Sequence, residues 1–330
     1  MKSFCYSFFI FNLKHEEANK RLRAVKVAII GTINLDIIVS KQGKRTESLG
    51  GILYNILSLS EIGKDFVKVF PITYIGSDIK ERFLKILKRY PNISVRGIYE
   101  NRWGTNINLL EYINDNKRRE TTTFFTEEIK YKMIEPFLSS DILLFNFIAG
   151  YDVSLETLKM VRRNSKSTIF LDVHSLVLKK KKGERVFYPI KNWKDWVKNI
   201  DIIQMNTKEL LFFTGIPPRT EKIDREIVKK TIKLLLTKSL NIVLVTSGEE
   251  GVYLGYRDDV YFFEQKYKSV VKDTTGCGDI FSSSFLVKYL VSKDPFISCE
   301  YANNVSGMST RDTGIKKCSS TRFFKINIKY

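Results

Sequence analysis

Short, nearly unbroken apolar runs alternate with amphipathic stretches along most of this chain. VKVAIIG (25–31) is β-branched and ends in glycine, the pattern of a strand buried on both faces. In GGILYNILSLSEIG (50–63), apolar residues at 52, 53, 56, 57, 59 and 62 keep helical spacing, and Gly63 supplies a stop signal. The same logic predicts a strand near 67–75, a helix over 78–89, a strand over 141–148, a helix over 154–163 and a strand over 168–173. A strand over 201–205, helices over 207–214 and 223–238, a strand over 241–248 and a helix from about 279 follow. Repeated strand–helix units predict an α/β fold, a mostly parallel central sheet flanked by helices on both faces.

The rhythm breaks at GIYENRWGTNINLLEYINDNKRRETTTFF (97–125), where strand-like alternation surrounds a polar turn at 114–117 and helical spacing is absent. With DIIVSKQGKRTESLG (36–50) it predicts a small β-sheet projecting from the core as a lid over a substrate cleft. Such a flap, pairing with that of a second copy, would give a homodimer. WKDWVKNIDIIQMNTKE (193–209) reads as an aromatic helix leading into a strand, with Trp193 and Trp196 in the core. No internal repeat or long low-complexity linker interrupts the pattern, so 26–330 is expected to form one domain after an N-terminal extension, 1–25.

Composition narrows the partners. The 330 residues, 43% hydrophobic, suffice for a sizeable core, and length alone allows one large domain or two ordinary ones. The start, MKSFCYSFFIFNLKHEEANKRLR, imitates a signal peptide, but it lacks a small-residue cleavage site and charges follow at once, so a poorly ordered extension is expected. No apolar run approaches the roughly 18 residues of a membrane span. Four cysteines (Cys5, Cys277, Cys299, Cys318) without paired spacing fit reduced thiols in a cytoplasmic protein and neither a disulfide framework nor a zinc site. Two histidines, His15 and His174, exclude a His-rich metal centre. The net charge of +19 is spread through the chain, and its densest cluster, LKKKKGERV (178–186), reads as a solvated loop. No nucleic-acid partner is expected; a general pull on anionic ligands is.

Candidate chemistry concentrates in KDTTGCGDIFSSSFL (272–286), where an extended run meets a helical stripe at 280, 281, 285, 286 and 289. Gly276 and Gly278 allow successive N–H groups to point into one concavity. The first-turn amides and dipole of the following helix complete an anion hole suited to a phosphoryl group. Asp279 at its mouth is placed to take the proton of an attacking alcohol. For an isolated G-x-G-D, the alternative is an aspartate that merely caps the helix.

DTTGCGDIF is similar to the D-T-x-G-A-G-D-x-F signature of the ribokinase-like, or PfkB, carbohydrate kinases, and further blocks follow that family's order from about 26 to 316. GTINLD (31–36), the di-glycine Gly50–Gly51 with Asn55, IGSD (75–78), NTKE (206–209), VTSGEEGVYL (245–254) and YANNVSGMSTRDTG (301–314) each resemble a family block. The resemblance implies the ribokinase-like fold and an ATP- and Mg²⁺-dependent kinase acting on a hydroxymethyl group of a sugar or sugar-like small molecule. It makes Asp279 the catalytic base and Gly276, Cys277 and Gly278 the donors of the anion hole. Asn34 and Asp36, helped by Gly50, Gly51 and Asn55, would hold acceptor hydroxyls, a carboxylate suiting two vicinal O–H groups. Asn206 and Glu209 would organise Mg²⁺ and phosphates through water, although an N-cap with its capping-box acid has the same spacing. Thr246 and Gly248 would line the phosphate and ribose side of the nucleotide, and Asn303 the adenine side. Asp273 and Thr275, with Gly314 in the loop completing the site, would hold a monovalent cation, K⁺.

The chain departs from the pattern in places. Ile52, Leu53 and Tyr54 stand where ribokinases carry Lys and small residues, which puts ribose in doubt. Cys277 replaces the usual Ala, GSDIKERF lacks a second glycine, and LDVHSL (171–176) differs from the commoner Asp-x-Asn-x-Arg, leaving His174 either structural or phosphate-facing. A nucleoside kinase of the same family is the nearest variant, and a catalytically silent relative acting as ligand sensor or assembly partner is the non-enzyme alternative. The missing G-x-G-x-x-G and G-x-x-x-x-G-K-[ST] exclude a Rossmann dehydrogenase and a P-loop kinase.

Overall fold

The computed structural model describes residues 23–40, 42–114, 117–181, 184–218, 220, 223–237, 240–267 and 270–321. The expected extension lies almost wholly outside the described residues, as do 115–116 in the 114–117 turn and 182–183 in the lysine cluster. Fifteen strands are described: β1 Val25–Gly31, β2 Ile33–Val39, β3 Arg45–Gly51, β4 Val67–Gly76, β5 Ile98–Asn101, β6 Asn106–Asn114, β7 Lys117–Thr123, β8 Ile142–Asn146, β9 Thr168–Asp172, β10 Leu178–Lys181, β11 Glu184–Phe187, β12 Ile202–Asn206, β13 Ile242–Thr246, β14 Gly251–Tyr256 and β15 Asp259–Glu264.

Nine of them form one sheet in the order β15-β14-β13-β12-β9-β8-β1-β4-β5. Its pairs are parallel from β13 through β5, while β14 and β15 add an antiparallel edge. Apolar residues fill both faces of the central strands, so periodicity alone gave unbroken runs. On β1, Val27 and Ile29 join one core cluster, and Ala28 and Ile30 the other. Helices Leu53–Ile62, Lys80–Leu87, Cys277–Ser292 and Pro295–Ser309 cover the first face. Helices Tyr131–Ile134, Leu155–Asn164, Trp193–Val197, Thr207–Phe213 and Arg225–Leu235 cover the second. Trp196 is buried there, edge-on to Phe147 with ring centres 5.4 Å apart, whereas Trp193 only borders the cluster.

The second sheet has six strands in the order β10-β11-β7-β6-β2-β3. It contains both predicted lid segments apart from β5. LKKKKGERV is not a solvated loop; most of it forms the β10–β11 hairpin, whose β11 pairs with β7 through Glu184 and Thr121. β5, inside the 97–125 segment, belongs to the large sheet, paired with β4. The Arg225–Leu235 helix is shorter at both ends than the expected 223–238, and the helix expected from about 279 begins at Cys277. That helix lacks a polar stripe because it is enclosed: Asp279 through Val287 are all buried, with Phe281 and Phe285 between the sheet and neighbouring helices. Full burial of such a side chain is worth about 1.5–3 kcal/mol.

Candidate active site

Polar side chains gather where the parallel strands end. Gly31 pairs with Asn146, Asn146 with Asp172, and Asp172 with Gln204, while Asn206 pairs with Thr246 further along. These are carboxyl ends of strands, beside the point between β1 and β8 where the strand order reverses, the usual ligand crevice of an open parallel sheet. The six-stranded sheet covers this end through Asp36, Asn108 and Arg185.

The cleft has two chambers. One, of about 570 Å³, is lined by Asn34, Asp36, Gly51, Tyr54, His174 and Asp279, among others. The second, of about 1040 Å³, is lined by Gly248, Gln265, Tyr267, Phe281, Asn303 and Ser306, among others. Asn206, Thr246, Thr274 and Gly278 line both, so the glycine turn is the wall at which the chambers meet.

The turn is built by Gly276. It occupies the N-cap of the Cys277–Ser292 helix with φ 76°, and a Cβ there would stand 2.5 Å from the Tyr54 ring. Only glycine suits such a left-handed, crowded position. Gly278 differs: it has helical backbone, and a Cβ would meet nothing within 4 Å because it would project into the cleft. The Cys277 N–H is spent on the Thr274 carbonyl at 3.2 Å, while the Gly276 and Gly278 N–H groups have no partner among the described residues. The Cys277 thiol lies 3.4 Å from Ser309 Oγ, and burial pushes its pKa up.

Asp279 is the third residue of the helix, in its first turn and 6% exposed, and its carboxylate is engaged by Asn146 from the neighbouring strand end. Asn146 Nδ2 donates to Asp279 Oδ1 at 2.6 Å and to Asn55 Oδ1 at 2.8 Å, and Asn55 Nδ2 donates to the Asp279 carbonyl at 3.0 Å. Burial pushes the Asp279 carboxyl up to about 7, against the Asn146 bond, and the negative charge of Asp36 adds to the rise. Behind it, Ser282 Oγ donates to Asp172 Oδ2 at 2.7 Å, and the Gln204 amide, turned nitrogen-inward, donates to both Asp172 oxygens at 2.8 and 2.7 Å. Burial and the charge of Asp279 hold Asp172 well above the ordinary carboxylate range.

In the smaller chamber, Asp36 Oδ1 accepts from Asn108 Nδ2 at 3.0 Å, which Thr122 fixes in turn. A Cβ on Gly50 would collide with Asp36 Oδ2, so Gly50 acts by its lack of a side chain and does not line the cleft. Asn34 Oδ1 is buried with no partner, a free acceptor at the cleft wall. Asn55 is fully buried behind the wall and clips the helix instead. His174 forms a 2.7 Å hydrogen bond with Ser175 Oγ; burial and the Arg185 charge push it down to about 4, so it is neutral at ordinary pH.

At the other end, Asn206 and Glu209 form the complete capping box, both bonds 2.8 Å. Burial, opposed by the Asn206 N–H and helped by the charge of Asp279, raises Glu209 to about 7. Among the described residues no three His, Cys, Asp or Glu side chains converge as direct metal ligands. The charge of Asp279 nevertheless raises both Asp172 and Glu209, and that of Glu209 raises Asp172; a cation held through water and phosphate oxygens would relieve that repulsion. Thr246 ends β13, and Gly248, at φ 58°, opens to the second chamber. Asn303 is buried and bonded to the Phe263 and Glu264 carbonyls and to Gln265, so it forms the chamber's back wall. Lys317 Nζ donates to the carbonyl oxygens of Asp273 and Thr275 from behind the turn, while Thr275 also lines the smaller chamber.

Sequence reasoning missed Asn108, Asn146, Asp172, Gln204 and Lys317. Asn146 carried a signal, a polar residue inside the apolar run DILLFNFI, and Asp172 stood in LDVHSL, the block set beside Asp-x-Asn-x-Arg.

The pfkB family carbohydrate kinase profile matches residues 26–322. A Mycoplasma pneumoniae protein named "Putative 1-phosphofructokinase" is 23% identical over 244 residues, 72% of this chain and 75% of the relative. An Arabidopsis thaliana ribokinase solved with ribose and ATP superposes with a TM-score of 0.69 at 18% identity, over 92% of this chain and 100% of that one. A pyrophosphate-dependent kinase of the ribokinase family, complexed with a pyrophosphate analog and myo-inositol, gives 0.72 at 17% identity, over 89% and 99%.

Proposed function

The chain belongs to the pfkB family of carbohydrate kinases, and from that premise we propose that it transfers the γ-phosphoryl group of ATP to a hydroxymethyl group of a sugar or sugar-like acceptor. The observation that carries this reading is the junction of the two chambers at the glycine turn, with Asp279 on the acceptor side. The Asp36 carboxylate, oriented by Asn108, and the unpartnered Asn34 Oδ1 accept O–H groups of the acceptor and hold one hydroxyl toward Asp279. Asp279 takes that hydroxyl's proton on its carboxylate as the oxygen attacks. A base poised near neutrality is well matched to this task, and Asn146 keeps it aimed. The 276–278 turn forms the anion hole, and the Gly276 and Gly278 N–H groups at the positive end of a 16-residue helix stabilise charge on the moving phosphoryl group.

The larger chamber has the volume of a nucleotide site, with Thr246 and Gly248 on its phosphate side and Asn303 at its back. ATP bound there supplies the phosphoryl group; Asn206 and Glu209 would hold a Mg²⁺ through water, and it would supply neutralising charge. The lid strands exclude water from the acceptor chamber, which favours transfer over hydrolysis.

The test is a panel of donors (ATP, pyrophosphate) against acceptors (sugars, sugar phosphates, inositols, nucleosides), read by product mass. ATP-dependent phosphorylation of a sugar-like acceptor, lost in Asp279→Asn, is the expected result. A panel without any product above the Asp279→Asn background would overturn the assignment.

A further inference from the structure

Lys317 is fully buried, at 0% exposure, on the short helix Lys316–Ser320. A buried ammonium is costly unless acceptors replace its water. Here Lys317 Nζ donates to the Thr275 carbonyl at 2.7 Å and the Asp273 carbonyl at 2.9 Å, and lies 3.3 Å from Asp273 Oδ2 and 4.0 Å from Cys277 Sγ. Two backbone carbonyls and a carboxylate form an oxygen shell of the sort that surrounds a hard monovalent cation. The Asp273 carboxylate is also tied to the Thr275 N–H at 2.8 Å and the Gly314 N–H at 3.0 Å. These bonds and the Lys317 charge outweigh burial and hold its carboxyl below the ordinary range.

These are the residues at which the family resemblance implies K⁺. They do not fit it in this chain, because an ammonium and a metal ion of the same charge cannot share one oxygen shell. We propose that the Lys317 ammonium is a built-in monovalent cation. It fastens residues 273–275 immediately before Gly276 and fixes a positive charge behind the anion hole, so turnover needs no added alkali cation. The catalytic part of this inference rests on the kinase reading; the cation-site part does not.

Lys317 is a positioning residue, since Asp273 and Thr275 lie between it and the cleft. A cavity of about 180 Å³, lined in part by Ser309, Asp312, Lys317 and Ser320, runs beside its stem. Truncation would therefore open the shell to small cations from solvent.

The experiment compares wild type, Lys317→Ala and Lys317→Met in KCl, NH₄Cl and tetramethylammonium chloride at fixed ionic strength. Melting temperature without substrates and steady-state kinetics are both read. Wild type should show the same melting temperature and kcat in all three salts. Lys317→Ala should lose kcat by about 10²-fold, the size of one preorganised electrostatic contact, with acceptor KM little changed. K⁺ or NH₄⁺ should raise both its melting temperature and its kcat. Lys317→Met, whose stem refills the space without charge, should lose kcat and gain nothing from either cation. Potassium activation of wild type, or a Lys317→Ala melting temperature blind to K⁺ and NH₄⁺, would overturn the proposal. Cation-dependent melting of Lys317→Ala in a protein that phosphorylates nothing would uphold the site while removing the kinase reading.

Discussion

Replacing Asp279 by Asn should kill turnover and, in the same molecule, stabilise the unliganded protein in a pH-dependent way. The wild-type carboxyl is buried and pushed from the ordinary 3.8 to about 7, so its folded form holds a proton more tightly than its unfolded form. Folding is therefore unpenalised by this group below about pH 4. The penalty grows by about 1.4 kcal/mol per pH unit up to about pH 7 and is constant above it. At pH 8 the full rise corresponds to roughly 4 kcal/mol, and relaxation with water entry should leave about half. An amide carries no charge, and its oxygen can keep the bond that Asn146 makes at 2.6 Å. Asp279→Asn should then melt higher by about 4–8 °C at pH 8, and by less than half as much at pH 5. In the same variant kcat should fall by ~10²- to 10⁴-fold, with both substrates still bound. Paired melting curves at the two pH values, with kcat on the true acceptor, make the assay. A stability difference that does not change between pH 5 and pH 8 would refute the buried-charge argument. Retained kcat would refute the base.

Wild-type kcat/KM should rise with pH through about 7 and level off, because the base must be deprotonated; a flat profile from pH 5.5 to 8.5 would contradict that. Asp36→Asn should raise acceptor KM and leave that of ATP unchanged, since Asp36 lines only the acceptor chamber; equal effects on both, by steady-state kinetics, would count against it. Gly278→Val should keep a near-normal melting temperature while transfer collapses, because its side chain enters only the cleft, whereas Gly276→Val should melt markedly lower through collision with Tyr54. Near-normal turnover in Gly278→Val would remove the turn from phosphate binding. Asn303→Ala should loosen the back wall and raise ATP KM several-fold, with acceptor KM as the control.

What the chain determines by itself is whatever lies contiguous along it. The large sheet was legible because β1, β8 and β13 are buried on both faces, so they are apolar up to their carboxyl ends. The glycine turn was legible because Gly276, Gly278 and Asp279 are neighbours along the chain. Tertiary structure decided the rest. β10 and β11 sit at the edge of the small sheet with lysines facing solvent, so they lack the alternation that reveals a strand. β5 joined the large sheet because β4 offered an edge, a pairing that no local signal encodes. Asn146 and Asp279 meet across 133 positions, and Lys317 reaches Thr275 across 42. In a chain with 55 lysines and arginines, nothing in the sequence distinguishes the buried lysine from the solvated ones. It becomes distinct only when folding strips its water away and leaves two carbonyls and a carboxylate in its place.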